Sequence, residues 1–533
     1  MSAHADCEKC DEGQPRCERC AKGGFDCIYR DEFDLMLRNQ TSETAVKAQK
    51  KWRSRAKKVS PLPSSASSAT ATSPSSSSGS DSPRSRQIQF VTDFPPSINV
   101  EQSICDLAEK RFFFDFVVEE APQAPRQGYA TFVPDIVKNM VPNTCAYHAF
   151  RATSLSNFAA RSRSPQASEM AWNEYGKAIK LLSPDISDPH GSKPLQTLSA
   201  ICLLSIYELL ATPYLTNGGS WQAHVNGSCA ILNTYYANGN GNSDDLETLS
   251  ELFQHIITQM LINRMTFGKR PEIPLSTVDA FIRPKTIMHQ VLSLVYRSAD
   301  RLAEWRESET NLADPGAIII AAMKIVSDTD ELETEFDQWF AERPPIWEEE
   351  IRDVRPEQMP TWLQGLFRSH GAPRTMRISN NLLIAQRYNL TRGTRIQMHC
   401  HALNALDVLI ASAQTDAELA FWLETQHRFE LRVMGHVRDL LASLYGHMTL
   451  PMRGKATQKS LDDVPTLRVM MLLWPLYRST ILLMRRDTLA QLDPEGMRFW
   501  ARYCLCWIRD EIGVKKCEAF VNNIDGNFAV AYA

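Results

Sequence analysis

After position 100 the apolar residues recur at helical spacing almost throughout. The run 201–210, Ile-Cys-Leu-Leu-Ser-Ile-Tyr-Glu-Leu-Leu, is apolar nearly all round, which predicts a helix buried on every side. Residues 469–484 read the same way, with Pro475 expected to kink or interrupt that helix. Residues 331–340 and 417–431 alternate apolar and charged positions at the period of an amphipathic surface helix. Strand-like alternation bounded by hairpin turns is scarce, while 238–242 and Arg343-Pro344-Pro345 read as loops. The expected fold class is therefore mostly α, with one large all-α domain over 99–533. No apolar run approaches the roughly twenty residues that span a bilayer, so no membrane partner is expected and the chain reads as soluble and intracellular.

Ahead of position 100 the pattern breaks down. From Ser60 to Ser85 half the residues are serine, and no large apolar side chain stands between Leu62 and Ile88. Such a stretch cannot bury enough surface to offset its ordering entropy, so 59–98 is expected to be a disordered Ser/Pro-rich linker. Its Ser60-Pro61, Ser73-Pro74 and Ser82-Pro83 pairs are candidate phosphorylation sites of low specificity. Residues 31–58 form a short helix and a basic arm: Asp31 can cap the helix and Phe33 stands one turn from Leu37. No apolar heptad is sustained there, so a dimerising coiled coil has no support.

The arm itself holds Lys47, Lys50, Lys51, Arg53, Arg55, Lys57 and Lys58 around Trp52, with no acidic residue between them. In isolation a run of this kind is a solvated charge cluster; it is also the footprint of phosphate contact or of nuclear import. The formal net charge of the whole chain is only −4, so a basic surface is local to the arm.

Five of the thirteen cysteines fall within the first twenty-seven residues, as Cys7, Cys10, Cys17, Cys20 and Cys27, separated alternately by two and six residues. Thiolates at this spacing close tetrahedral zinc sites, with sulfur about 2.3 Å from the metal. A disulfide framework is the competing reading, but it needs an oxidising compartment, and the polar, acidic N-terminus carries no signal-peptide core.

From Cys10 to Tyr29 the sequence resembles the later two-thirds of the fungal binuclear zinc cluster, Zn2Cys6, whose pattern is C-x2-C-x6-C-x6-C-x2-C-x6-C. Cys10, Cys17, Cys20 and Cys27 align with that family's third to sixth cysteines, and Asp11, Glu12, Pro15, Gly23 and Tyr29 sit where the family places such residues. The alignment puts the second cysteine at Ala3 and the first one residue before Met1. In place of the basic stretch that the family lays in the major groove stand His4, Asp6, Cys7, Glu8 and Lys9. Two accounts stand: an upstream start supplies the missing front, which is the expectation, or the chain regulates without that reader. The resemblance implies that Cys17 bridges two metals and that Cys17, Cys20 and Cys27 hold one zinc with a position left over. Cys7 closes that position, or Cys7, Cys10, Cys17 and Cys20 form a single-zinc knuckle. Five cysteines rebuild the two-metal site only with a borrowed ligand such as His4, so the expected cofactor is one or two Zn2+ in a module over 1–30.

The stretch 195–232 also resembles this family, in its helical regulatory domain: an apolar helix ending Tyr207-Glu208, a loop, then Ser220-Trp221 and His224 to Gly227 opening another helix. Trp221 and His224 stand one turn apart and could line a pocket; the plainer reading is packing, and for Glu208 a partner near the helix end. His399-Cys400-His401 is too tight for one helix to bring several side chains to one metal and reads as incidental. The remaining cysteines, 105, 145, 202, 229, 400, 504, 506 and 517, read as free thiols among apolar neighbours. No nucleophile elbow, phosphate-binding glycine loop or dinucleotide fingerprint is present, so no catalytic residue is named and the chain is not expected to be an enzyme.

The resemblance thus implies a nuclear transcriptional regulator that binds promoter DNA through the zinc module and basic arm. Its helical domain would meet an effector or transcriptional co-regulator, and its targets would include gene sets such as those of specialised metabolism. The alternative is a regulatory or interaction protein of the same family that no longer reads DNA specifically.

Overall fold

A computed structural model describes residues 100–117, 130, 132–187, 194–213, 220–237, 246–281, 287–310, 315–450, 460–493 and 495–525. The chain divides into two compact units, Met1–Pro95 and Pro96–Ala533, and every described residue belongs to the second. The proposed zinc module, short helix, basic arm and linker all lie outside the described residues.

The second unit is helical, as the apolar spacing requires. Its first half contains α1 (Val100–Phe116), α2 (Phe132–Lys138), α3 (Cys145–Ser162), α4 (Pro165–Ser187), α5 (Pro194–Ala211), α6 (Ser220–Ala237), α7 (Leu246–Phe267), α8 (Leu275–Phe281), α9 (Ile287–Thr310) and α10 (Pro315–Ala341). Helix α3 packs on α1, α4 and α5, and α5 continues onto α6. Thr144 starts α3 by accepting the Tyr147 amide at 3.3 Å. Arg163, at φ 54°, ends it in the left-handed region two residues before Pro165 opens α4. The apolar run read from sequence is α5, and from Leu198 to Leu210 nearly all of it is buried.

The second half begins with an antiparallel hairpin, which the sequence reading did not anticipate. Strand β1 (Glu350–Asp353) pairs Glu350 with Ile378 and Asp353 with Thr375 of β2 (Thr375–Ile378), with the short helix α11 (Thr361–Arg368) between them. All four β1 residues are exposed, so no buried face imposes the alternation by which a strand is recognised. There follow α12 (Leu382–Ser412), α13 (Asp416–Ala442), α14 (Leu444–Thr449), α15 (Thr466–Arg485), α16 (Asp487–Gln491), α17 (Met497–Trp507), a π turn at Ile508–Ile512 and α18 (Lys516–Ile524). Asn381 caps α12 through the amides of Leu383 and Ile384. This helix runs through the centre, packed on α9, α10, α13 and α15.

Pro475 lies inside α15, which is assigned as one helix from Thr466 to Arg485. Opposite it on α12 stands Gly393, where a Cβ would come within 3.4 Å of the proline ring, so the missing side chain admits the close approach of the two helices. Residues Thr466–Met484 also meet the length and hydropathy expected of a bilayer span, contrary to the sequence reading, yet 72% of that window is buried inside the domain.

A buried carboxylate joins the two halves. Asp115, fully buried near the end of α1, accepts from Arg111 Nε at 2.7 Å and Arg111 Nη2 at 2.9 Å. It also accepts from Asn157 Nδ2 on α3 at 2.7 Å, and from the amide and hydroxyl of Thr466 at 3.1 Å each. The Thr466 amide is one of the donors left over at the start of α15, so Asp115 acts there as a cap supplied from 351 residues away. Arg111 and Arg161 reinforce it by donating to the carbonyls of Asp462 and Leu461.

Candidate functional site

The residues with the clearest chemistry in the sequence, Cys7, Cys10, Cys17, Cys20 and Cys27 with the basic residues 47–58, lie outside the described residues. Two polar clusters within the helical unit can be built from their side chains.

The first occupies the α4–α5–α6 contact. Glu208, buried near the end of α5, accepts Tyr175 Oη from α4 at 2.6 Å and Thr212 Oγ1 from its own helix end at 2.6 Å. That pairing answers the carboxylate locally, as expected. Tyr175 stacks on Tyr207 at 4.5 Å and meets the His224 ring edge-on at 6.5 Å. Burial, then the Glu208 charge, pushes the Tyr175 phenol well above its ordinary value, which keeps it a neutral donor. Burial likewise lowers His224, against the pull of Glu208, so the imidazole is held neutral. His224 Nε2 and the half-buried Trp221's Nε1 have no hydrogen-bond partner among the described residues. The geometry is that of packing around one satisfied carboxylate.

The second cluster spans α10, α12 and α13. Glu333 on α10 receives Arg395 Nε of α12 at 2.9 Å, Arg395 Nη2 as well, and His436 Nε2 of α13 at 2.8 Å. Arg395 also reaches Asp337 at 2.5 Å. Burial pushes the Glu333 carboxyl up, but the hydrogen bonds from His436 and Arg395 outweigh it and hold the group well below the usual carboxylate range. His399 of α12, fully buried, brings its Nδ1 to 3.9 Å from the same carboxylate. Burial lowers its pKa to about 4, so the ring is neutral at neutral pH. Its Nδ1 donates to the Arg395 carbonyl at 2.9 Å, which leaves Nε2 as the lone-pair nitrogen, without a partner among the described residues.

His401, two residues on, turns instead to Gln397 at 3.0 Å, so the two rings of the His-Cys-His run meet different partners. The sequence reading missed the partners of His399, because Glu333 and His436 come from other helices and no local spacing reveals them.

Beside the hairpin lies an open cleft of about 480 Å³ walled by Arg352, Arg355, Met359, Met376 and Tyr445. The eight cysteines in the described residues are free thiols, Cys400 and Cys506 half-buried and the others buried. Burial pushes Cys202 up to about 12, which leaves it an inert thiol at neutral pH.

Comparison with known proteins bears on both units. A family model described as the fungal Zn(2)-Cys(6) binuclear cluster domain matches residues 8–35, and one described as the fungal specific transcription factor domain matches 113–340. No curated protein and no solved structure matches the chain. The first match includes Cys10, Cys17, Cys20 and Cys27 and begins one residue after Cys7; the second runs from α1 through α10, which includes the 195–232 stretch. The cluster domain binds zinc ions, and four thiolates in its matched span are the soft donors that zinc takes. The two matches, cluster first and helical domain after it, together span less than half of the chain and support a fungal zinc-cluster regulator of transcription.

Proposed function

We propose that the chain works in the nucleus by binding promoter DNA, and that its helical unit sets whether a gene set, such as one for specialised metabolism, is expressed. In this reading Cys10, Cys17, Cys20 and Cys27, joined by Cys7, hold one or two zinc ions. The arm residues Lys47, Lys50, Lys51, Arg53, Arg55, Lys57 and Lys58 neutralise phosphates. The helical unit carries the contacts to an effector or a transcriptional co-regulator, and no catalytic step is assigned to the chain. One observation carries the reading: a thiolate series at zinc-cluster spacing stands ahead of a matched transcription factor domain in the same chain.

The second reading is a regulator that acts through the helical unit without choosing a DNA sequence. It is favoured by His4, Asp6, Cys7, Glu8 and Lys9, which occupy the place of the family's base-contacting basic stretch with no net positive charge.

Fluorescence anisotropy of the zinc-loaded chain on a genome-derived duplex library separates the two. A reader discriminates its selected site from random duplex by about 10³-fold or more. Seven arm cations on phosphate would also give a log–log salt slope steeper than about −5, lost when all seven are changed to alanine. Uniform, weak, salt-sensitive binding to every duplex would overturn the first reading in favour of the second.

A further inference from the structure

We propose that the outer edge of β1 takes a third strand: a short extended segment of a partner protein that carries an acidic side chain two positions from an apolar one. This gives the co-regulator contact proposed above a place and a chemistry, and rests on that reading for what the partner is. Binding is measured without DNA, so the two can fail separately.

The phase of the hairpin hydrogen bonds fixes which groups of β1 are free. The Val354 amide donates to the Arg374 carbonyl at 2.8 Å, in the same register that pairs Arg352 with Met376 and Glu350 with Ile378. Opposed residues of an antiparallel pair alternate between bonded and non-bonded. Glu350 and Arg352 therefore bond to β2 as Val354 does, while the N–H and C=O of Ile351 and Asp353 point away from it. The sheet has two strands, and among the described residues nothing pairs with that outer side. All four β1 residues are exposed, Ile351 by 58%. Outward donors and acceptors on an exposed edge are a template for strand addition.

The cleft beside this edge supplies the selectivity. Its floor is Met359 and Met376, both buried, and half-buried Tyr445 of α14 closes one side. Arg352 and Met376 share a face as cross-strand partners, and a strand bonded to Ile351 and Asp353 presents every second side chain to that face. One such side chain enters the cleft over the methionines, whose flexible thioethers fit apolar groups of varied shape. The next, two positions along, meets the cations. Arg355 is exposed and has no ion-pair partner among the described residues, and Arg352 is paired with the equally exposed Glu350. Asp353 opposes them on the rim, but strand alternation sends its side chain to the face opposite Arg352. Two guanidiniums beside an apolar floor select an acidic and apolar segment. The charges of β1 and its length of four residues keep it from pairing indiscriminately.

The probe is a random octapeptide library displayed on phage, selected at near-physiological salt against the full chain with all seven arm cations changed to alanine, so that the arm captures no acidic peptide. Enriched sequences should place Asp or Glu two positions from an apolar residue. By fluorescence anisotropy, Arg355→Glu should weaken such a peptide by at least about 10-fold, the loss of one charge-assisted hydrogen bond. Ile351→Pro removes an outward donor and no bond to β2; it should weaken binding similarly and leave the Val354 amide protected from hydrogen exchange. N-methylation of alternate peptide amides should abolish binding for the set that faces β1 and spare it for the other set. Arg355→Glu and N-methylation leave the hairpin backbone unaltered, so they carry the test if Ile351→Pro disrupts it. No enrichment, peptides indifferent to Arg355→Glu, or equal effects of the two N-methyl sets overturns the proposal. So does a dimer of the free chain in sedimentation that Ile351→Pro abolishes, which would give the edge to a second copy.

Discussion

Replacing Asp115 should loosen the helical unit more than any surface substitution, because one carboxylate answers five donor atoms on three helices. In Asp115→Ala, the Asn157 amide and the Thr466 amide and hydroxyl lose their acceptor inside the protein, while Arg111, 20% exposed, can turn partly to water. Breaking a buried ion pair from one side costs about 3–5 kcal/mol, and the solvent route open to Arg111 puts the expected loss near the lower end, with the lost cap on α15 adding about 1 kcal/mol. A total of about 4 kcal/mol follows. Unfolding entropy of about 2.1 cal/mol/K per residue over roughly 430 residues is about 0.9 kcal/mol/K, so the melting temperature should fall by about 4–5 °C. Asp115→Asn keeps the shape and one acceptor oxygen and should lose about half as much. Differential scanning calorimetry of the full chain gives the melting temperatures, and hydrogen exchange locates the change: the Thr466 amide and the end of α1 should lose protection together. If Asp115→Ala melts within 1 °C of the unaltered chain, or Thr466 exchange is unchanged, the carboxylate does not join the two halves.

Acid should weaken the unit through its buried histidines. Burial lowers His255 and His399 to about 4 and His401 and His447 to about 3. Each therefore binds its proton in the unfolded chain near pH 6.5 and in the folded chain only well below that. The unfolded state holds more protons between these values, so stability is full above pH 6.5 and falls as pH drops toward 4. At pH 5 each group should cost about 2 kcal/mol relative to pH 7, a slope that urea unfolding across this range measures and that a flat profile would refute. Tyr175→Phe removes the 2.6 Å bond to Glu208 but leaves Thr212 in place, so a loss of about 1–2 kcal/mol is expected by the same assay. Gly446→Ala places a Cβ against the Arg377 carbonyl and 2.9 Å from Ile378 Cα, where only backbone of β2 could move. It should cost about 1–3 kcal/mol and raise exchange in the hairpin, while Gly435→Ala, open on the same measure, should cost nothing and could add a little helix stability.

The sequence was most legible where burial is apolar and local. The α5 run follows from an unbroken apolar composition, and the amphipathic stretches that became parts of α10 and α13 follow from side-chain period, since one helix face decides each of those two. Pro475 shows the limit of that reasoning: the expected kink or interruption depends on a lost local hydrogen bond, yet Thr466–Arg485 runs as one helix, with Gly393 of α12 close against the proline ring. The hairpin was invisible for the opposite reason, because β1 buries nothing that could leave a pattern.

Central helix α12 was the least legible element and the most consequential. It is buried on nearly all sides yet includes Arg387, Asn389, Arg392, Arg395, Gln397, His399 and His401, residues that a hydrophobic reading assigns to solvent. Their partners lie far along the chain: Glu349 for Arg392, Glu333 and Asp337 for Arg395, and Ser443 for Asn389. The neighbouring helices are pinned to one another in the same way, Asp330 of α10 by Arg428 and Arg432 of α13, and Glu333 by His436. Apolar packing alone would tolerate a slide of α10 or α13 by one turn, since Leu, Ile and Met surfaces are interchangeable at that level. The ion pairs would not, because a shift of about 5.4 Å would strand the Glu333 carboxylate and the Arg395 guanidinium without partners in a buried setting. Desolvation makes such pairs a poor source of net stability. Their consequence here is register: they fix which turn of α10 faces which turn of α12 and α13, and so they bring His399, Glu333 and His436 to one point.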